Sequence, residues 1–197
     1  MQMQVDVPQH SSPSHAPGDA SRIRRSLDAL TYVDSAGLER VFAEGEPFRP
    51  EALDGHPRGR VLAIPGWDHG IAANVLRRVH AASWWPWEGK SFATNPRTGE
   101  GRGINRALVP TRRALFPFRT YETSSVVDRR PCFAIDYDVP ENPPRARLIY
   151  DEVRRVGGNL FLGRGMRRRP GQREPSLVLW FALDAGKQDV PVEIVKG

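Results

Sequence analysis

Nine short apolar runs, each closed off by turn-forming residues, constrain this chain more than any other feature. They are Arg60–Ile64, Gly89–Ala93, Ile104–Leu108, Phe118–Val127, Cys132–Val139, Arg147–Val156, Leu160–Arg168, Leu177–Leu183 and Val190–Val195. Between them stand Asn95-Pro96, Thr98-Gly99, Asp128 to Pro131, Pro140 to Pro144, Gly157-Gly158 and Pro170-Gly171. Residues of these types set turn dihedrals or withhold a ladder hydrogen bond. Gly157-Gly158 is the strongest hairpin signal, because two residues that accept positive φ join flanking strands without splaying them. Such spacing leaves no room for the crossover helices of βαβ units, so the expected sheet is mostly antiparallel. Closure removes its exposed edges most simply. The expected fold class is therefore mostly β, a barrel or strongly curled antiparallel sheet, with one lid-like helix and at most two helices near the N-terminal side.

Ahead of the strands, residues 1–20 are rich in Ser, Pro and Gly and lack apolar periodicity, which predicts a disordered tail. Residues 21–197 then form a single domain. A helix is expected over Ala36–Glu44, where Leu38, Val41 and Phe42 share a face, Asp34 or Ser35 caps the start and Gly45 stops it. A second is expected where Ile71, Val75, Leu76, Val79 and Ala82 make an apolar stripe, ending before Pro86. A single cysteine excludes an internal disulfide, and the longest apolar run, Leu177–Leu183, is too short to span a bilayer. With a polar N-terminus and no leader pattern, a cytoplasmic protein is expected.

Net charge is +6, but only Lys90, Lys187 and Lys196 among the 29 basic residues are lysines. An arginine bias with abundant Ala, Gly and Pro fits the coding habit of a GC-rich bacterial genome. Arg164, Arg167, Arg168, Arg169 and Arg173 flank Pro170-Gly171, with no aromatic residues interleaved as a base-stacking platform requires. A solvated hairpin tip is expected there, and a nucleic-acid partner is not favoured.

Polar residues are densest between Asp136 and Arg154. Alternation puts Phe133, Ile135, Tyr137 and Val139 on one strand face, opposed to Cys132, Ala134, Asp136 and Asp138. In the next strand Leu148, Tyr150, Glu152 and Arg154 oppose Ile149, Asp151, Val153 and Arg155. Polar groups pointing both ways suit a lumen that holds a ligand with a polar tip. Asp136, Asp151 or Glu152 in a low-dielectric lumen would have a raised pKa and could act as general acid or base. Tyr137 or Tyr150 could donate a hydrogen bond to a ligand carbonyl or a developing enolate. Asp138, Asn142, Asp151 and Arg154 complete the candidate polar lining. The same carboxylates could instead pair with Arg145, Arg147 and Arg154 as structural ion pairs.

Asp68 could cap the second helix and leave His69 facing the cavity. Trp84, Trp85 and Trp87 could line a hydrophobic mouth or serve as core plugs, and Trp67, Trp84 and Trp87 are the ligand-binding candidates among the tryptophans. No two histidines stand one helical turn apart, so no metal is expected. Gly99-Glu100-Gly101-Arg102-Gly103 precedes a strand rather than a helix, which makes it a hairpin loop and not a phosphate cradle. Cys132 lies among apolar residues and reads as an inert core thiol. Nucleophile-elbow, phosphate-loop and dinucleotide fingerprints are all missing.

Gly66-Trp67 after the first strand, Ile135-Asp136-Tyr137 in a middle strand and Arg154 or Arg155 near the end of a late one resemble the calycin pattern. That group includes the lipocalins and small bacterial barrels with a Gly-x-Trp signature, although Gly66 and Trp67 are adjacent here. The resemblance implies a cavity for one small, largely apolar molecule, and some barrels of this shape are cyclases or isomerases of natural products. Three functions follow as expectations. One is a cavity whose ligand is transformed by cofactor-independent acid–base chemistry of isomerase, cyclase or lyase type. Another is a non-catalytic carrier or sensor with the same cavity. The third is a basic module on nucleic acid or anionic lipid.

Overall fold

The structure is a computed structural model and describes residues 26–67, 87–108 and 111–188. The tail, the second expected helix and the strand expected over Val190–Val195 lie outside the described residues. Eight strands occupy the described part: β1 (Pro57–Ala63), β2 (Trp87–Thr94), β3 (Gly101–Leu108), β4 (Arg112–Ser124), β5 (Pro131–Asp136), β6 (Ile149–Gly157), β7 (Leu160–Arg167) and β8 (Ser176–Gln188). Each pairs antiparallel with its chain neighbour, and β1 pairs with β8 to close the barrel. Closure leaves no open sheet edge among them.

Several boundaries differ from the sequence expectation, among them the start of β4, the end of β5 and the start of β6. β4 begins six residues early, because a bulge carries the chain through Pro117 without ending the pairing with β3. β5 stops at Asp136, whose carboxylate accepts the Asp138 amide at 3.0 Å and turns the chain. Ala146–Leu148 is a single 3-10 turn, so β6 starts at Ile149.

Two helices precede the barrel: α1 (Leu27–Leu30) and α2 (Ser35–Ala43). Asp34 caps α2 by accepting the Gly37 amide at 2.8 Å, satisfying one donor that the first turn leaves orphaned. Leu27, Leu30, Leu38 and Phe42 pack on the outer wall against Leu62, Leu160, Leu162, Trp180 and Ala182. Alternate residues of the same strands point inward, where Phe133, Val153, Phe161, Phe181 and Leu183 form a second core with Phe48 and Leu53. Phe48 and Leu53 come from the segment between α2 and β1. Phe48 sits 5.2 Å from Phe133 and 4.6 Å from Phe161, so it plugs one end of the barrel with aromatic contacts. No helix among the described residues is long and apolar enough to cross a membrane.

Candidate functional site

Among the described residues the other end of the barrel is open. There the odd-numbered strands finish and the even-numbered ones begin, and a cavity of about 860 Å³ penetrates the lumen. Two bulges shape its wall. Residues 87 and 90 should face opposite sides of a regular strand, yet the pairing slips between Trp87 and Gly89, and both Trp87 and Lys90 line the cavity. Gly89 holds φ at +137°, and a Cβ there would lie 2.4 Å from the Pro57 carbonyl oxygen, so the slip requires glycine. In β4 Phe116 is the extra residue: Ile104 pairs with Pro117 and Asn105 with Leu115. Phe116 takes φ of +54°, an uncommon conformation for an aromatic residue, and leaves its ring part-exposed on the cavity. Val178 is the corresponding extra residue of β8 and is likewise exposed at the cavity. Arg145 and Arg167 add positive charge to the same lining.

Four polar side chains meet inside this mostly apolar space: Lys90 of β2, Asn105 of β3, Tyr137 just after β5 and Asp151 of β6. Lys90 Nζ stands 3.2 Å from Asp151 Oδ2, donates to Asn105 Oδ1 at 2.9 Å and donates a short hydrogen bond to the Tyr137 hydroxyl. Asn105 Nδ2 also donates to the Tyr137 oxygen at 3.1 Å, and Trp87 Nε1 donates to Asn105 Oδ1 at 3.1 Å. Tyr137 Oη thus accepts twice. Its own proton has two acceptors, Asp151 Oδ2 at 3.3 Å and Asn105 Oδ1 at 3.4 Å, both long for a hydroxyl donor. A ligand oxygen in the cavity would compete for that proton on favourable terms.

Lys90 Nζ is also surrounded by aromatic faces, 5.0 Å from the Phe181 ring centre, 5.1 Å from Tyr137 and 5.5 Å from both Trp87 and Phe118. Burial pushes the Lys90 ammonium below its usual pKa, with Asp151 opposing the change. Burial raises the Asp151 carboxyl, with Lys90 opposing. Both shifts narrow the gap between the ion pair and the neutral amine–acid pair. Burial, reinforced by the Asp151 charge, holds the Tyr137 phenol well above its usual range, which keeps it a neutral hydrogen-bond donor.

The remaining expected site residues lie elsewhere. Asp136 is on the outer wall, bonded to Arg119 at 2.9 Å and Arg168 at 2.8 Å. Burial works to raise its pKa, but Arg168, the Asp138 amide and Arg119 together hold it down at about 2, which is the wrong direction for a proton donor at neutral pH. Glu152 is buried outside the lumen and accepts from Ser125 Oγ and the Val126 amide, both at 2.6 Å. Tyr150 packs with Ala134 and Met166 beneath the Arg168 guanidinium. Arg154 is buried against the Phe42 ring and pairs with Asp128 at 2.6 Å. Asp138 pairs with Arg147 at 2.6 Å, and both are part-exposed. These five are held by outer-wall contacts, and none lines the cavity.

Asn142 does not line the cavity either, but its amide donates to the Tyr137 and Pro117 carbonyls at 2.8 and 2.7 Å, tying the loop after β5 to the β4 bulge. Trp87 is in the wall, Trp67 is 62% exposed, and Asp68, His69, Trp84 and Trp85 lie outside the described residues. Among the described residues no three His, Cys, Asp or Glu side chains are grouped to hold a metal. The arginines around Pro170-Gly171 do not act as one patch: Arg164 is buried with Glu39 at 2.6 Å, and Arg168 serves Asp136.

Lys90 and Asn105 were missed by the sequence reading. A signal for Lys90 existed: it is one of three lysines in an arginine-rich chain, and alternation puts it on the face of Phe92. Nothing in the sequence distinguishes Asn105 from a surface amide.

No protein-family model and no curated protein matches the chain. Among solved structures, the chain is similar to one described as "Crystal structure of protein from Thermomonospora curvata", at 18% identity and a TM-score of 0.43, over 77% of this chain and 87% of that one.

Proposed function

We propose that the barrel receives one small, mostly apolar molecule bearing a carbonyl or hydroxyl group and directs that group to Tyr137, Lys90 and Asp151. A single observation carries this: the cavity is lined by Val61, Ala107, Leu115, Ile149 and Leu179, yet it ends on one compact polar cluster that contains a weakly committed hydroxyl proton. Apolar walls with a few convergent polar groups are the usual form of a small-molecule site. Tyr137 would bind the ligand oxygen, and the neighbouring ammonium would stabilise negative charge building there. Asp151, raised in pKa and adjacent to that ammonium, would take or return a proton at the carbon next to the carbonyl, which is isomerase- or cyclase-type chemistry.

A carrier or sensor is the second reading. It is favoured by the internal satisfaction of the cluster, since each of the four side chains already has a partner and binding alone needs no further change. Proton NMR in deuterated water separates the two. A catalyst accelerates loss of α-proton signal from an added apolar ketone such as 2-decanone, and the Asp151→Asn variant does not. A carrier shifts and broadens the ketone signals without exchange. If the ketone spectrum is unchanged by the protein, neither reading stands.

A further inference from the structure

We infer that Lys90 is a nucleophile that captures an aldehyde or ketone as a reversible imine in the barrel lumen. The inference rests on the cavity reading above and adds a covalent step to it. Three geometric features converge on the same nitrogen. Lys90 is one of the residues lining the cavity, the side from which a ligand carbonyl carbon would approach its amine. A proton acceptor, Asp151, lies 3.2 Å away, and a hydroxyl that can serve the carbonyl oxygen, Tyr137, is hydrogen-bonded to that nitrogen. Four aromatic faces and one carboxylate surround the position, an environment suited to a cationic nitrogen shielded from water.

A protonated imine is such a cation. It carries its positive charge where the ammonium had it, keeps Asp151 as counter-ion and places its new carbon substituents against apolar wall. Lysines that form imines are characteristically desolvated in hydrophobic pockets, and burial lowers this one's proton affinity.

The step balances within the four groups. The Lys90 ammonium gives a proton to the Asp151 carboxylate. The freed lone pair forms a bond to the carbonyl carbon, and the carbonyl π pair moves to oxygen. Tyr137 gives that oxygen its proton and recovers one from the nitrogen, leaving a neutral carbinolamine. The carbon–oxygen bond then breaks as the nitrogen lone pair forms the C=N bond. The departing hydroxyl takes the proton held on Asp151 and leaves as water. Net, ammonium and carbonyl become iminium and water, and Asp151 is a carboxylate again.

Reductive trapping tests this on the full chain. The protein is incubated near neutral pH with 2-naphthaldehyde or decanal and sodium cyanoborohydride, which delivers hydride to an iminium and fixes the ligand as a secondary amine. Only Lys187 and Lys196 compete as lysines, so peptide mass mapping reads the site directly. The expected result is one adduct at Lys90, in at least roughly tenfold excess over the other two lysines, as a desolvated amine beside a proton acceptor requires. 2-Naphthalenemethanol and decanol, which cannot form imines, are titrated in parallel by quenching of tryptophan fluorescence.

Binding of the alcohols without an adduct at Lys90 overturns the imine and leaves the cavity reading intact. Label confined to Lys187, Lys196 or the N-terminus also overturns it. If neither aldehydes nor alcohols bind, both proposals fall together. Because Lys90→Met alone strands the buried Asp151, the control is the Lys90→Met/Asp151→Leu double variant, which should lose the adduct while still binding naphthalene, a ligand that needs only the apolar wall. A labelled mass unchanged in that variant would place the reaction elsewhere and contradict the assignment.

Discussion

Asp151 and Glu152 are consecutive in sequence and stand on opposite sides of the barrel wall. Asp151 points into the lumen, 3.2 Å from Lys90 Nζ, while Glu152 points outward to Ser125 Oγ at 2.6 Å. Both are buried, and both were candidates for the same role. The period of two in β6 separates them. Only substitutions on the inner face should therefore change ligand affinity.

Glu152→Gln should lower unfolding free energy by about 1–3 kcal/mol, because the Ser125 hydroxyl and Val126 amide lose an ionised acceptor. It should leave the affinity for 2-naphthalenemethanol unchanged. Tyr137→Phe should weaken that alcohol by roughly 3- to 10-fold through the loss of one hydrogen bond, and should also lower stability by about 1–3 kcal/mol because Lys90 and Asn105 lose an acceptor. Naphthalene itself should bind both proteins alike. Urea melts and fluorescence titrations on the same samples check both halves.

The buried Lys90–Asp151 pair should show strong coupling. Removing one partner leaves a charge or a polar group stranded in a low-dielectric site, so Lys90→Met should cost about 3–5 kcal/mol. Removing both, as Lys90→Met/Asp151→Leu, should restore most of that loss, because apolar replacements of a buried pair are often neutral. A double-mutant cycle in urea gives the coupling directly.

Falling pH should weaken the outer wall. Asp136 and Asp128 each have a folded-state pKa of about 2 against an ordinary 3.8, so each stabilises the fold above pH 3.8. That contribution is lost as pH falls towards 2, since the unfolded chain takes up protons first. At neutral pH each is worth on the order of 1–2 kcal/mol, allowing for solvent screening of the partly exposed partners. Stability measured by urea at pH 5, 4, 3 and 2.5 should decline steeply below 4, and Arg168→Met should flatten the decline.

Cys132 should be inert in the folded protein. Burial pushes its thiol up to about 12, aided by the nearby Glu152 charge, so almost no thiolate exists at neutral pH. Iodoacetamide should label it only after denaturation, and measurable native labelling at pH 8 would show that the wall opens locally around β5.

Much of this arrangement was legible before the structure. The turn residues between apolar runs announced an antiparallel sheet, and alternation set Tyr137 with Phe133 and Ile135 and Asp151 with Val153, the pairings that line the lumen. What misled was density. Between Asp136 and Arg154 the polar residues crowd together in sequence, but Asp136, Glu152 and Arg154 face outward, where Arg119, Arg168, Ser125 and Asp128 satisfy them. Lys90 and Asn105 come from distant strands that meet Tyr137 and Asp151 only through barrel closure. Trp87 joins them only through the slip at Gly89, and a register slip leaves no mark in a pattern of alternating residues.

The central claim is that the lumen is a binding site, and filling it is the most direct test. Ala107 is buried in β3 and its methyl lines the cavity, so Ala107→Trp would place an indole where a ligand sits. Titration of 2-naphthalenemethanol, with circular dichroism to confirm the β signal, is the measurement. The native chain should bind the alcohol saturably, one to one, and the variant at least roughly tenfold more weakly, as expected when a pocket's volume is taken by a side chain. Equal binding by a folded Ala107→Trp protein would contradict the central claim.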